Sequence, residues 1–207
     1  YAEAEEQLLD VTSQVNDIFG EAHRSALVAH TYLGEVQAKL GKLEQAEAVL
    51  TETDRLYLDS LGRDNAWRLY NAVLLAGVYL QQEKVEQAGA LAEEVIGRQR
   101  ATLGDTHLDT LITAATLAGI RNRQGRYGEA EELSRQVITG FGAIVGDDNA
   151  ALIEPNHTLL LSMIGQGEIS EARPVALKIQ ELMEQDTGIA ADKREQILQD
   201  LAQVLGD

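Results

Sequence analysis

The chain has no cysteine and only two prolines in 207 residues. Without cysteine there is no disulfide, no thiolate metal site and no thiol nucleophile; the compartment stays open on that ground. With so little proline, long helices meet almost no covalent obstacle. Aromatic residues are scarce too: six Tyr, two Phe and one Trp. Basic residues are outnumbered 17 to 34, giving a net charge of −17. Phosphate recognition needs a positive surface, so no nucleic acid partner is expected. An anionic membrane surface is disfavoured for the same reason. The longest apolar runs, residues 73–80 and 111–120, fall far short of the roughly 20 residues of a membrane span. No secretory signal opens the chain, and the expected location is the cytoplasm.

What is present is a period. The sequence repeats every 42 residues, five times, without insertion or deletion, in units that begin at Tyr1, Leu43, Val85, Tyr127 and Ile169. Alanine holds the fourth place of every unit (Ala4, Ala46, Ala88, Ala130, Ala172), glycine the twentieth (Gly20, Gly62, Gly104, Gly146, Gly188) and leucine the thirty-third (Leu33, Leu75, Leu117, Leu159, Leu201). A period of this length means stacked supersecondary units. The charge per unit runs −4, −3, 0, −6 and −4, so the third unit is a neutral island. The acidic balance reads first as a solvated surface, and second as an attraction for a basic partner. Because the chain opens in mid-repeat and without Met, it reads as a piece of a longer protein.

Each unit carries two helical patterns. In the first, Ala4, Leu8, Val11, Val15 and Ile18 fall at spacings of three and four, one helix face; Gly20 is a natural left-handed stop. The second runs Leu27, His30, Leu33, Val36, Leu40 and ends at Gly41, with Gly125 and Gly167 at the same place later and Glu83 in the second unit. Asp64, Asp105, Thr106, Asp148 and Asn149 stand where a cap can accept from free amides. The short connections make successive helices antiparallel neighbours, ten in all. Pro174 is expected in the first turn of a helix that Ser170 caps, where a missing amide costs little. Pro155 means that its helix either starts late, near Glu154, or is kinked; the weak patterning of residues 149–151 favours the late start.

Gly125-Arg126 followed by Tyr127-Gly128-Glu129-Ala130-Glu131-Glu132-Leu133 resembles the opening of the second helix of a tetratricopeptide repeat. Leu33-Gly34, Leu75-Ala76 and Leu117-Ala118 resemble the leucine and small residue of its first helix. The period and the loop Gly104-Asp105-Thr106-His107 are similar to the longer version found in kinesin light chains and in many bacterial multidomain proteins. The resemblance implies an all-α fold: a right-handed α-solenoid (superhelix) of about ten antiparallel helices in one domain, 1–207. In that phase residues 1–19 are an orphan second helix, repeats cover 23–61, 65–103, 107–145 and 149–186, and 190–206 form a capping helix. That helix is apolar at Ile197, Leu198, Leu201, Val204 and Leu205 and polar at Asp192, Lys193, Arg194, Glu195 and Asp200.

Chemistry is not in view. His23 and His107 share one place in the repeat, with Asn65 and Asn149 replacing them elsewhere, and suit helix-start hydrogen bonding. His30 reads as packing and His157 as facing a groove. Acidic clusters such as Glu3, Glu5, Glu6 and Glu129, Glu131, Glu132 sit in first turns, where the helix dipole favours negative charge. Arg98, Arg100, Arg121, Arg123 and Arg126 fall in last turns or at opposite edges and do not form one patch. There is no phosphate loop, no metal-spaced set and no nucleophile–base pair, so neither enzyme activity nor a cofactor or metal is expected.

The resemblance implies a concave surface lined by first helices. Its rungs are Val28, Thr31, Glu35, Ala38 and Lys39; Tyr70, Val73, Gly77, Leu80 and Gln81; Ile112, Ala115, Gly119, Asn122 and Arg123; and Glu154, His157, Leu161, Ile164 and Gly165. The basic residues with which chaperone-binding members clamp a peptide carboxylate are missing, as is the asparagine pair of kinesin light chains. What is left is a small and apolar groove, of the kind that marks an interaction site. Gly77 and Gly119 invite either a bulky neighbour such as Tyr70 or a ligand close to the backbone. The expected function is a protein–protein interaction scaffold that binds a peptide or partner segment. The alternatives are a self-association or structural module, a homo-oligomer, whose groove is occupied by a second copy or by flanking chain, and a regulatory sensor of a short peptide.

Overall fold

The computed structural model describes residues 1–185 and 188–206. The expected end of the fourth repeat, at 186, lies outside the described residues. The chain forms two compact units, Tyr1–Arg98 and Gln99–Asp207. The first holds α1 (Ala2–Phe19), α2 (Arg24–Lys39), α3 (Leu43–Leu61), α4 (Ala66–Gln81) and most of α5 (Val85–Leu103), within which the division falls. The second holds α6 (Leu108–Arg123), α7 (Tyr127–Val145), a 3-10 turn (Ala150–Leu152), α8 (Ile153–Gln166), α9 (Ile169–Gln185) and α10 (Ala191–Leu205). Among the described residues there is no strand, and no helix is long and apolar enough to cross a membrane.

Backbone geometry explains the punctuation. Gly20, Gly62, Gly104 and Gly146 all have φ between 83° and 90°, a region closed to most side chains by Cβ sterics. Glu83 adopts φ 61°, alone among the described non-glycine residues in having a positive φ. Helix starts are capped at the twenty-third place. His23 Nδ1 accepts from the Ser25 amide and His107 Nδ1 from the Asp109 amide, each at 3.2 Å. Asn65 Oδ1 accepts from Trp67 and Arg68, and Asn149 Oδ1 from Ala151. The caps expected at Asp64, Asp105, Thr106 and Asp148 are thereby corrected to Asn65, His107 and Asn149, the last also expected. Those carboxylates take cations instead: Asp64 pairs with Arg98 at 2.6 Å, Asp105 with Arg100 at 2.9 Å and Asp148 with Lys178 at 2.6 Å.

The two prolines divide. α8 begins at Ile153, after the 3-10 turn, so Pro155 stands in its first turn and removes no intrahelical bond. Pro174 lies inside α9. The helix starts at Ile169, where the period puts it, so Ser170 is helical rather than a cap, and the proline sits two residues deeper than expected.

Helices adjacent in sequence pack against one another within each unit, and α2 also meets α4, as α6 meets α8. Ala46, Ala88, Ala130 and Ala172 are completely buried, which lets neighbouring axes approach at the low end of the usual 8–10 Å. Leu33, Leu75, Leu117, Leu159 and Leu201 are at most 5 % exposed. Charged side chains lock the same contacts: Lys42 Nζ reaches Glu5 at 2.6 Å, and Lys84 reaches Glu47 at 2.7 Å, both 37 residues apart.

Candidate partner-binding surface

In the first unit the surface is built by α2 and α4. Tyr70 Oη donates to Glu35 Oε2 at 2.9 Å, and Lys39 Nζ lies 2.7 Å from Glu35 Oε1. The separation of 35 residues between Glu35 and Tyr70 recurs between Tyr32 and Trp67, whose rings meet edge to face at 5.9 Å. A 42-residue period shortened by about 7 gives that number: neighbouring first helices meet two turns out of step. Trp67 in turn meets Tyr70 edge to face at 6.1 Å, with planes 85° apart. Three aromatic rings from two helices thus form a corner beside the Glu35 carboxylate. Tyr32 is 41 % exposed, and Trp67 and Tyr70 are half-buried. Burial, and then the neighbouring Glu35 carboxylate, push the Tyr70 phenol far above its ordinary value. The Tyr1 ring stands 5.5 Å from the Lys39 ammonium.

The expected groove residues of this unit separate into two sets. Val28, Glu35, Tyr70, Gly77 and Leu80 are partly exposed. A Cβ added to Gly77 would meet nothing within 4 Å, so no bulky neighbour fills the gap there. Thr31 and Val73 are corrected. Thr31 is fully buried, with its hydroxyl 2.9 Å from the Leu27 carbonyl and 3.2 Å from Asn71 Oδ1. Val73 is 7 % exposed and packs with Leu69, Ala72 and Val95. At these places the helix face points to the next helix, so neither side chain offers a ligand surface.

In the second unit Ile112 is 38 % exposed, Arg123 is exposed, and Ala115 and Gly119 are half-buried. A Cβ on Gly119 also meets open space. Asn122 donates to the Thr158 carbonyl at 2.9 Å and so ties α6 to α8. Glu154 is exposed and pairs with Lys193 at 3.1 Å; Leu161 and Ile164 are half-buried. Gly165 lies under the Tyr127 ring, which a Cβ would strike at 2.5 Å. His157 is corrected: it is 4 % exposed, with Nε2 2.8 Å from Asp200 Oδ2. Asp200, expected on the polar coat of the last helix, is 7 % exposed and turns inward to this histidine.

Tyr32 and Trp67 escaped the sequence-derived surface. The available signal was spacing: Trp67 and Tyr70 are three apart on one helix, and Tyr32 is 35 residues upstream of Trp67. Among the described residues no group of three or more His, Asp or Glu could hold a metal ion. In the second unit an open depression of about 640 Å³ lies along α7, lined in part by Leu111, Gln136, Thr139, Gly140 and Ile144.

A family model for the tetratricopeptide repeat matches residues 68–143. No curated protein matches the chain. Solved structures do. A point variant of a protein described as a kinesin light chain with nearly identical TPR-like repeats, from Podosopora anserina, is 23% identical with a TM-score of 0.73, covering 89% of this chain and 87% of that one. BtubC (BKLC) from P. vanneervenii is 14% identical with a TM-score of 0.77, covering 100% of this chain and 83% of that one. At these identities the likeness speaks to the fold alone.

Proposed function

We propose that the chain, whose residues 68–143 match the tetratricopeptide repeat model, is an interaction scaffold that takes a peptide or partner segment on the exposed face of its first helices. Proteins of this repeat family generally mediate protein–protein contacts. The observation that carries the reading is the corner of Tyr32, Trp67 and Tyr70 on α2 and α4. Aromatic side chains with one apolar body and one polar tip are favoured anchors at interfaces, and the open backbone at Gly77 gives a ligand room beside them. A location in the cytoplasm and a bacterial source belong to the same proposal. So does the absence of catalysis.

The test is selection of peptides from a random display library, then titration of the selected peptides against the chain and its Gly77→Leu variant. Replacing a helical glycine that faces open space leaves the fold intact. Binding should weaken by about tenfold or more, the equivalent of roughly 1.4 kcal/mol. Equal affinity would move the site off α4.

A second reading, self-association, draws on α1. Leu9, Val11, Ile18 and Phe19 are 44–69 % exposed there, and stable homodimer interfaces are more apolar than ordinary surface. Light scattering over a concentration series tests it; a strict monomer at the highest concentration removes this reading.

A further inference from the structure

The corner on α2 and α4 has a chemistry of its own. Tyr32 stands at 72° to Trp67, and Trp67 at 85° to Tyr70. Rings set at such angles leave a half-open box rather than a flat stack. The face of an aromatic ring is its negative pole, so a box of this kind attracts a cation placed against the faces. The Glu35 carboxylate sits at its rim, held by Tyr70 at 2.9 Å. Lys39 pairs with the same carboxylate at 2.7 Å, so an apolar anchor entering the box would strip water from an ion pair and offer it nothing in return, which is costly. A cationic anchor meets both the ring faces and the carboxylate. Two further facts point the same way. The chain carries a net charge of −17, which draws basic segments by long-range attraction. The same surface already holds one cation against an aromatic ring, with the Lys39 ammonium 5.5 Å from the centre of the Tyr1 ring.

We infer that the Tyr32, Trp67, Tyr70 and Glu35 corner is a recognition pocket for a cationic side chain, an arginine of a basic peptide partner. This rests on the peptide-binding reading above and specifies its chemistry. Arginine fits better than lysine because its planar guanidinium can stack on a ring while its edge donates to a carboxylate. Ile112 of the second unit stands at the repeat place of Tyr70, and Thr116 at that of Tyr32, so the pocket belongs to the first unit.

The chain contains one tryptophan, Trp67, so its emission reports on this pocket and nowhere else. The experiment titrates the full chain with three blocked peptides of alternating alanine and a test residue: arginine, its neutral isostere citrulline, and leucine. The arginine peptide should change Trp67 emission and bind at least about tenfold tighter than either neutral peptide. Tyr32→Ala should abolish that preference while Tyr32→Phe keeps it, because a phenyl face serves as well. Glu35→Gln should weaken the arginine peptide and leave the leucine peptide unchanged. Three outcomes overturn the inference. Equal binding of all three peptides would leave the peptide-binding reading standing and remove the cation. Arginine binding that is indifferent to Tyr32→Ala would reduce the effect to diffuse attraction by the acidic surface. Silence of Trp67 emission with every peptide, alongside binding of library-selected peptides that Gly77→Leu weakens, would place the partner on α4 outside the corner.

Discussion

Helices α1 and α3 carry the same pattern at the same places and are buried to different extents. Ala46, Leu50 and Tyr57 of α3 are completely buried and Thr53 is 1 % exposed. Their counterparts on α1 are Ala4, Leu8 and Val15, which are half-buried, and Val11, which is 44 % exposed. The place occupied by the more apolar residue, Val11 against Thr53, is the more exposed. Apolar character therefore marks a face that can be covered, and the neighbouring helix decides whether it is. α3 lies between α2 and α4, and Gly34 of α2 is so close that an added Cβ would lie 2.5 Å from Leu50 Cγ. Among the described residues α1 packs on α2 alone. The exposed stripe of α1 is thus the same device as the core of α3, left unused.

Truncating the matched leucines should give the largest difference. Leu50→Ala should cost about 2–5 kcal/mol, since the site is sealed between helices. Leu8→Ala should cost roughly 1 kcal/mol or less, because the lost methyl groups are already partly in water. Urea midpoints of the two variants check this, and equal shifts would mean that α1 is covered in solution. Enlarging the matched alanines comes next. Ala46→Leu, or Ala88→Leu on α5, should destabilise by about 1–3 kcal/mol through overpacking, while Ala4→Leu should stay within roughly 0.5 kcal/mol of the parent. An unchanged midpoint for Ala88→Leu would contradict its burial.

The glycines sharpen the contrast by a smaller amount and with opposite signs. Gly34→Ala forces Leu50 aside and should lower the thermal midpoint. Gly77→Ala adds a methyl group to open space and should raise stability by about 0.5–1 kcal/mol through helix propensity. The smallest effect concerns pH at the α1–α2 contact, where His30 Nε2 lies 3.3 Å from Asn16 Nδ2. Burial, opposed in part by Glu21, holds His30 below its ordinary value of 6.5. The folded chain then binds fewer protons than the unfolded one. Its stability is complete above 6.5 and is lost as pH falls through the lower folded value. His30→Asn should flatten the thermal midpoint between pH 7 and the onset of general acid unfolding, and an unchanged slope would show that His30 is not the group responsible.

Most of the fold was legible because its cues are local. The stops at Gly20, Gly62, Gly104 and Gly146 and the caps at His23, Asn65, His107 and Asn149 act within one turn of their own helix. The candidate surface was only partly legible. The sequence left Gly77 open between a bulky neighbour and a ligand, and no neighbour fills the space; Thr31 and Val73, read as groove residues, are buried. One helical residue turns the side chain by about 100°, so a position assigned by analogy can be right in height and wrong in direction. His157 failed for another reason: its partner Asp200 is 43 residues away on α10.

By itself the sequence determined the period, the two helices of each unit, where they start and stop, and the alanine and leucine contacts that recur. All of these are properties of a residue and its near neighbours, repeated. Tertiary structure alone decided which faces are covered, that Gly34 is tight while Gly77 is open, and that Tyr32 meets Trp67 and Glu35 meets Tyr70. Those outcomes depend on the offset between helices that are not adjacent in the chain. Side-chain packing sets that offset, and no single repeat contains it.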